Sequence, residues 1–113
     1  MAENCLFCKI IAGEIPSKKV YEDENVFAFY DINPQAPIHV LAVPKAHICC
    51  ANDVDETNSD AVARVFEAIP KIAKALGIDS YRVINNCGEL AGQTVMHLHF
   101  HILSGEKMGE KLL

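Results

Sequence analysis

The chain has 113 residues, of which 50% are hydrophobic and 22% are charged, and its formal net charge is −5. This length suits one domain with a substantial core and excludes two. The negative charge argues against nucleic acid as a partner, because binding to a phosphate backbone normally needs a basic patch. No apolar stretch approaches the roughly 18 residues of a membrane span, so we also expect no membrane partner.

The first predicted elements are a short helix and two strands. Residues 5–12, CLFCKIIA, predict a helix that buries Leu6 and Ile10, with Phe7 and Ile11 as further candidates for internal positions, and that ends at Gly13. Apolar and aromatic residues then predict strands at 20–22 and 26–31.

The middle of the chain predicts a central strand followed by the main helix. Residues 38–44, IHVLAVP, are almost continuously apolar, which is typical of a strand buried on both faces. Apolar residues at helical spacing predict a helix over 57–76, capped by Gly77 and kinked or split by Pro70. A fourth strand is expected at 81–85. Consecutive strands with one main helix indicate an α+β fold on an antiparallel sheet.

The most informative stretch is VMHLHFHIL, residues 95–103, in which His97, His99 and His101 occupy every second position. This alternation is the period of a β-strand, where successive side chains point to opposite faces. A strand over the whole run would place the three imidazoles on one face, about 6.5–7 Å apart. Met96 and the apolar residues that follow it at every second position would cover the other face.

This histidine run has three interpretations. The histidines could be ordinary surface or core residues, although three at this spacing rarely arise by chance. They could be metal ligands, because His-x-His on a strand presents two ligands to one ion. Alternatively, one imidazole could be a nucleophile whose neighbours orient it and bind an anion. The preceding loop AGQT, 91–94, offers backbone N–H groups and the Thr94 hydroxyl to a phosphate, but spacing does not separate the last two interpretations.

Residues 97–103 match the alternating histidine and apolar motif of the histidine-triad (HIT) family. The segments DINPQAP and VPKAHI further resemble the Hint branch of that family, the purine-nucleoside phosphoramidase-like proteins. The resemblance covers nearly all of residues 5–109. It implies that residues 1–113 form a single HIT domain, with a five-stranded antiparallel sheet, one long helix and one short helix. It also implies a homodimer in which the sheet is continuous between subunits.

The resemblance implies a site for a purine nucleoside 5′-monophosphate derivative in each subunit. In that site His99 corresponds to the catalytic nucleophile and His101 to the histidine that contacts the α-phosphate. Asp31 corresponds to the carboxylate that binds the ribose hydroxyls, with Ile32 beside it at the sugar. The remaining nucleotide-binding positions are Asn86, Gly92, Gln93 and Thr94 at the phosphate, and Phe7, Ile10 and Phe29 at the base, where the last three could equally be core residues.

By this resemblance the protein is an enzyme in which His99 attacks the α-phosphorus and expels an amine or acyl group. Water then hydrolyses the nucleotidyl-histidine intermediate. No metal is needed at the reacting phosphorus. Two other functions are compatible with the residues: a nucleotide-binding regulatory protein with incidental hydrolysis, and a zinc protein that uses the histidine run itself as the metal site.

The five cysteines need a separate explanation. The N-terminus MAENCLFCKI lacks the basic start and apolar core of a signal peptide, so we expect a cytoplasmic protein. A disulfide framework is unfavourable in that reducing compartment. The pair Cys5-x-x-Cys8 is therefore either two small buried residues or half of a zinc site.

The resemblance also extends to a metal site. Bacterial-type HIT proteins with the two cysteines imply a structural Zn²⁺ held by Cys5, Cys8, His47 and His97. His39, inside an apolar strand, is expected to be a core histidine with satisfied hydrogen bonds. No comparable pattern explains Cys49, Cys50 and Cys87.

Overall fold

A computed structural model describes residues 4–111 of the protein. Its strands are β1 Lys19–Glu22, β2 Val26–Tyr30, β3 Ile38–Pro44, β4 Arg82–Ile84 and β5 Phe100–Ser104, and its helices are α1 Leu6–Ile11 and α2 Ser59–Leu76, with 3₁₀ turns at Ala51–Asp53 and Glu89–Ala91. The five strands form one antiparallel sheet in the order β1-β2-β3-β5-β4. The predicted α+β architecture is thus confirmed. Within this described range, neither helix has the length and apolar character needed to cross a membrane.

Strand β3 lies at the centre of the sheet, between β2 and β5, as its apolar sequence predicted. Its side chains alternate between two cores. Val40 and Ala42 pack in the cluster that includes α2, whereas Leu41 and Val43 pack in the cluster that includes α1. A strand covered on both faces needs apolar residues at nearly every position, which accounts for the IHVLAVP sequence.

Helix α2 packs on one face of the sheet through Val65, Ile69 and Ile72, which are all buried. The helix continues through Pro70, so of the two outcomes predicted there the split is wrong, and the kink stays a prediction. An internal proline costs a helix roughly 3 kcal/mol. Burial of each large aliphatic side chain contributes about 1.5–3 kcal/mol, so the packing of this face outweighs the loss. Gly77 caps the helix in the left-handed conformation, as predicted.

Helix α1 packs on the opposite face of the sheet, and the chain leaves it at Gly13 with a φ of 81°. The helix buries Phe7 and Ile10, but Leu6, predicted to be internal, is 43% exposed. The Phe7 ring packs edge-on against Phe29, with 5.5 Å between ring centroids. Leu6 lies on the side of this six-residue helix that lines a cavity.

Strand β5 begins at Phe100, so the strand predicted over 95–103 starts too early. Its first pair with β3 is Phe100 with Ala42, so the ladder between the two strands stops two residues short of Pro44, where β3 ends. The preceding residues bend instead, and Leu98 donates its backbone N–H to the carbonyl oxygen of Ile48 at 2.6 Å.

The alternation of side chains in the histidine run is confirmed from His97 onward. Leu98 and the apolar residues at every second position after it lie in the core cluster with α2. His97 and His99 contact Phe7 on the α1 side. Met96 does not follow the pattern, because it lies in the bend and is 40% exposed.

Candidate functional site

A cavity of about 330 Å³ lies beside the histidine run, between α1 and the sheet. Three titratable side chains, those of Asp31, His99 and His101, line it. An apolar cavity with a few convergent polar groups is the usual form of a small-molecule site. The apolar walls include Leu6, Phe7, Ile10, Phe29 and Leu41.

The imidazole of His99 is held in one tautomer. Its Nδ1–H donates to the carbonyl oxygen of His97 at 2.7 Å, since a carbonyl oxygen can only accept. The side-chain amide of Asn85 donates to the carbonyl oxygen of His99 at 2.9 Å and holds this part of the backbone. Nε2 of His99 therefore carries a lone pair, and the ring lines the cavity although the residue is only 5% exposed. A neutral imidazole nitrogen in this position can act as a nucleophile.

A second histidine determines the tautomer of His101. The backbone N–H of Gln35 donates to Nδ1 of His39 at 3.0 Å, so the proton of neutral His39 lies on Nε2. This Nε2–H donates to Nδ1 of His101 at 2.9 Å. The Nε2–H of His101 is therefore left as a donor in a residue that lines the cavity, where it can bind an anionic oxygen.

Both of these rings are neutral near pH 7. Burial lowers the pKa of His39, and the nearby carboxylate of Asp31 opposes this only in part. Burial, followed by the proximity of His99 and His39, lowers the pKa of His101 to about 4. His101 therefore acts as a neutral hydrogen-bond donor and brings no full positive charge to the cavity.

The carboxylate of Asp31 lies at the cavity, directly after the end of β2. Its Oδ1 accepts the backbone N–H of Asn33 at 2.8 Å, and its Oδ2 lies 3.5 Å from Nε2 of His39. A carboxylate has about four lone-pair positions, so Asp31 can still accept hydrogen bonds from hydroxyl groups. The next residue, Ile32, also lines the cavity and is fully exposed.

Cys5, Cys8, His47 and His97 form a second, compact cluster. Sγ of Cys5 lies 3.3 Å from Nδ1 of His97, Sγ of Cys8 lies 3.4 Å from Nδ1 of His47, and the two Nδ1 atoms are 3.2 Å apart. A tetrahedral zinc ion separates a sulfur from a nitrogen ligand by about 3.5 Å, and two nitrogens by about 3.3 Å. The four donor atoms thus have the spacing that a Cys2His2 metal site requires.

The hydrogen bonds around this cluster also suit metal ligands. Nε2–H of His97 donates to the carbonyl oxygen of Pro44 at 2.8 Å, so the lone pair of Nδ1 faces the cysteines. Metal-bound histidines usually have their second nitrogen fixed in this way. Burial is the main reason that the pKa of His97 lies below its ordinary value, which keeps the ring neutral. No disulfide joins cysteines within residues 4–111.

Comparison with known proteins identifies the family. A sequence profile of the HIT domain matches residues 12–108. The chain belongs to the HIT family. A HIT family hydrolase from Clostridium thermocellum has a TM-score of 0.96 to this HIT domain and 51% sequence identity, with complete coverage of both chains. A histidine triad protein from Clostridium difficile has a TM-score of 0.94 and 50% identity, with 99% of each chain covered. The purine nucleoside phosphoramidase of Escherichia coli is 46% identical, over 99% of this chain and 96% of its own.

The loop between β4 and β5 of this HIT domain is braced by Gln93, which is only 2% exposed. Its Oε1 accepts the N–H of Gly88 at 2.8 Å. Its Nε2 donates to the carbonyl oxygens of Cys49 at 2.8 Å and Val95 at 3.0 Å. The side chain expected at the phosphate is thus hydrogen-bonded within the protein through both of its polar atoms.

Of the four residues expected at the phosphate, Thr94 lines the cavity, whereas Asn86, Gly92 and Gln93 lie in the adjacent loop. The side-chain amide of Asn86 donates to the carbonyl oxygen of Ala91 at 2.9 Å. Gly92 has a φ of 94°, which only glycine adopts without strain, so it shapes the turn before Thr94. A phosphate contact by these residues stays a prediction, and Thr94 is the best placed of them.

The roles of core residue and of cavity wall were both considered for Phe7, Ile10 and Phe29, and each of the three combines them. All three are buried in the core cluster of α1, and all three line the cavity. The Phe7 ring also packs edge-on against the imidazole of His99, with 5.1 Å between centroids. The proposed base slot is therefore built from core residues whose positions are already determined by packing.

Two residues of this HIT site were not recognised as such from the sequence. His39 is buried and hydrogen-bonded, as predicted for a core histidine, but its partner is the site histidine His101. The sequence did contain a signal for a functional role, because His39 is the one polar residue in the otherwise apolar β3. Asn85, which holds the carbonyl of His99, carries no signal of its own in the sequence.

Proposed function

We propose that the protein hydrolyses purine nucleoside 5′-monophosphate derivatives that carry an amine or acyl group on the α-phosphorus. The observation that carries the proposal is the tautomer of His99, whose Nδ1–H is bound to a carbonyl and whose Nε2 lone pair is available at the cavity. Similarity to a HIT family hydrolase and to a purine nucleoside phosphoramidase supports the same chemistry.

In the proposed complex the nucleotide occupies the 330 Å³ cavity with its base against α1. Phe7 and Phe29 offer aromatic walls that hold a purine without reading its polar edge. The carboxylate of Asp31 accepts hydrogen bonds from the ribose hydroxyls. The phosphate then lies near His99 and His101, where Nε2–H of His101 donates to a non-bridging oxygen.

The reaction has two displacements at phosphorus. In the first, the lone pair of His99 Nε2 forms the N–P bond, and the leaving group departs with the electrons of its bond to phosphorus. An amine takes its proton from solvent, whereas an acyl group departs as a carboxylate. His99 is then a cation, because Nδ1 keeps its proton, and the carbonyl of His97 stabilises that charge. In the second, water attacks phosphorus and loses a proton, and the N–P electrons return to Nε2. The positive imidazole is a good leaving group, which is the advantage of the covalent route.

We also propose that the Cys5, Cys8, His47 and His97 cluster holds a structural Zn²⁺. The donor spacing and the tautomer of His97 support it. Zinc there would join α1 to the segment that precedes β5, and so would secure one wall of the cavity. It would stand apart from the reacting phosphorus, since His99 and His101 are not among its ligands.

The homodimer with a continuous sheet is the third part of the proposal. Strands β1 and β4 form the two edges of the sheet. The β1 edge is irregular, with a register shift between Lys19 and Tyr21, and irregular or charged edges resist pairing. β4 is regular and carries the apolar residues Val83 and Ile84, so we place the subunit contact there. Light scattering of the purified protein should give twice the mass of one chain.

The central test is turnover of adenosine 5′-phosphoramidate by the purified protein. We expect AMP and ammonia as products, and an AMP adduct on the protein when the reaction is stopped early by denaturant. His99→Asn should bind AMP but lose turnover by several orders of magnitude. If His99→Asn retains more than about a tenth of the activity, the nucleophile lies elsewhere. Loss of turnover with a chelator, restored by zinc without refolding, would instead place a metal at the reaction.

A further inference from the structure

Three cysteines lie outside the Cys2His2 cluster, and two of them converge with a carboxylate. The thiols of Cys49 and Cys50 and a carboxylate oxygen of Asp53 all lie within 4.8 Å of one another. Sγ of Cys50 lies 3.6 Å from Oδ2 of Asp53. Both cysteines are partly accessible, and Asp53 is exposed.

The third thiol, that of Cys87, adjoins this group. The backbone N–H of Asn52 lowers the pKa of the Cys50 thiol, but partial burial, a hydrogen bond to the Cys87 thiol and the charge of Asp53 together raise it above its ordinary value. Cys50 is thus in contact with a thiol from the loop between β4 and β5 and with a carboxylate from its own turn. Two thiols and one carboxylate oxygen converge here, and the Cys87 thiol, which contacts that of Cys50, is the candidate fourth donor.

The backbone holds these donors in place. Cys50 is extended and precedes the 3₁₀ turn Ala51–Asp53. The N–H of Asp53 donates to the carbonyl oxygen of Cys50 at 3.0 Å. This turn places the carboxylate of Asp53 beside the thiol of Cys50. The carbonyl oxygen of Cys49 accepts the Gln93 amide at 2.8 Å, which links this segment to the loop that carries Cys87. The convergence therefore does not depend on one flexible side chain.

We propose that Cys49, Cys50, Asp53 and Cys87 form a second metal site, selective for a thiophilic divalent cation such as Zn²⁺ or Cd²⁺. Thiolates with one carboxylate suit such ions, and tetrahedral zinc places two sulfur ligands about 3.8 Å apart. To bring the donor atoms from the observed spacing to that of a tetrahedral site, the side chains must move by roughly 1 Å, which partly accessible residues can do. Each thiol loses its proton to solvent as the ion binds.

A cation at this second site would connect the 3₁₀ turn at Ala51–Asp53 to Cys87. Cys87 lies between Asn86 and Gly88, and the N–H of Gly88 donates a hydrogen bond to the side chain of Gln93. The ion would therefore restrain the loop that precedes Thr94. This site shares no ligand with the Cys5, Cys8, His47 and His97 cluster.

The test compares the metal stoichiometry of wild type with that of Cys49→Ser/Cys50→Ser, both kept in a phosphine reductant so that no disulfide forms. Titration calorimetry with Zn²⁺, and absorption titration with Co²⁺ as a thiolate-sensitive probe, should give one more site per chain in the wild type. Cys87→Ser should weaken binding at that site by at least about tenfold, as loss of one thiolate ligand implies. The comparison needs only the difference between variants, so it holds whether or not the Cys2His2 cluster binds metal.

Equal stoichiometry and equal cobalt–thiolate absorption in the two proteins would overturn the proposal. The double serine variant replaces partly accessible side chains and should melt within a few degrees of the metal-free wild type. If that variant is misfolded, Asp53→Asn and Cys87→Ser provide the same comparison one ligand at a time. Unchanged affinity in both of those variants would equally overturn the site.

Discussion

Removal of the Gln93 side chain offers a quantitative test of the loop. Gln93→Ala deletes three hydrogen bonds, with donor–acceptor distances of 2.8, 2.8 and 3.0 Å, from a residue that is 2% exposed. Each such bond contributes roughly 0.5–1.5 kcal/mol, so the free energy of unfolding should fall by about 1.5–4.5 kcal/mol. For a domain of this size a loss near 3 kcal/mol lowers Tm by roughly 10–20 °C.

Asn86→Ala provides a matched control in the same loop. It removes one hydrogen bond, to the carbonyl oxygen of Ala91, from a residue that is only partly buried. The expected loss is about 0.5–1.5 kcal/mol, so the fall in Tm should be roughly a third of that in Gln93→Ala. Thermal and urea unfolding monitored by circular dichroism give both values, and AMP affinity by calorimetry is measured alongside.

The two roles of Gln93 predict different results. If Gln93 braces the loop, Gln93→Ala lowers both Tm and AMP affinity, because Thr94 loses its support. If its side chain instead rotates out to contact the phosphate, AMP affinity falls while Tm stays within about 2 °C of the wild type. The second result would refute the bracing role that the hydrogen bonds assign to Gln93.

The other predictions concern the sugar, the zinc and the pH dependence. Asp31→Ala should weaken a ribonucleotide far more than its 2′,3′-dideoxy counterpart, by roughly 1.5–3 kcal/mol per lost hydrogen bond, and equal weakening in calorimetry would remove Asp31 from the ribose. Cys5→Ser/Cys8→Ser should remove the zinc of the Cys5, Cys8, His47 and His97 cluster and lower Tm, yet leave most of the turnover per folded molecule. Elemental analysis showing less than about 0.2 zinc per native chain would reject this site. The pKa of His101 falls from an ordinary 6.5 to about 4 on folding, so the unfolded chain takes up the proton first. Stability should therefore be lost as pH falls from 6.5 toward 4, and His101→Gln should flatten that part of the Tm profile; an unchanged profile would contradict the shift.

Some features of the fold and of the site could be predicted from the sequence alone. The alternation of His97, His99 and His101 predicted that they share one face of the sheet, and the continuous apolar run at 38–44 predicted the central strand. Both inferences succeed because side-chain direction in a strand repeats every two residues, whatever the strand packs against. The motif then led to the HIT family, which the sequence profile and the neighbouring structures confirm.

Several properties of the site depend on contacts between distant parts of the chain. Strand β5 starts only at Phe100, opposite Ala42, and the backbone N–H of Leu98 before it bonds to the distant carbonyl oxygen of Ile48. His39 fixes the tautomer of His101 across 62 residues. Local periodicity predicts which face of the strand a side chain lies on. It does not predict which group from a distant part of the chain that side chain will contact.

The sequence by itself thus determined the fold class, the shared face of the histidines and the pairing of Cys5 with Cys8 at one turn of helix. Only the tertiary structure decided that His97 turns its Nδ1 toward those cysteines while His99 keeps its Nε2 at the cavity. The physical reason is that a ring's role depends on which nitrogen holds the proton. That choice is made by the acceptors that folding brings to the ring, here the carbonyl of Pro44 for one histidine and the carbonyl of His97 for the other.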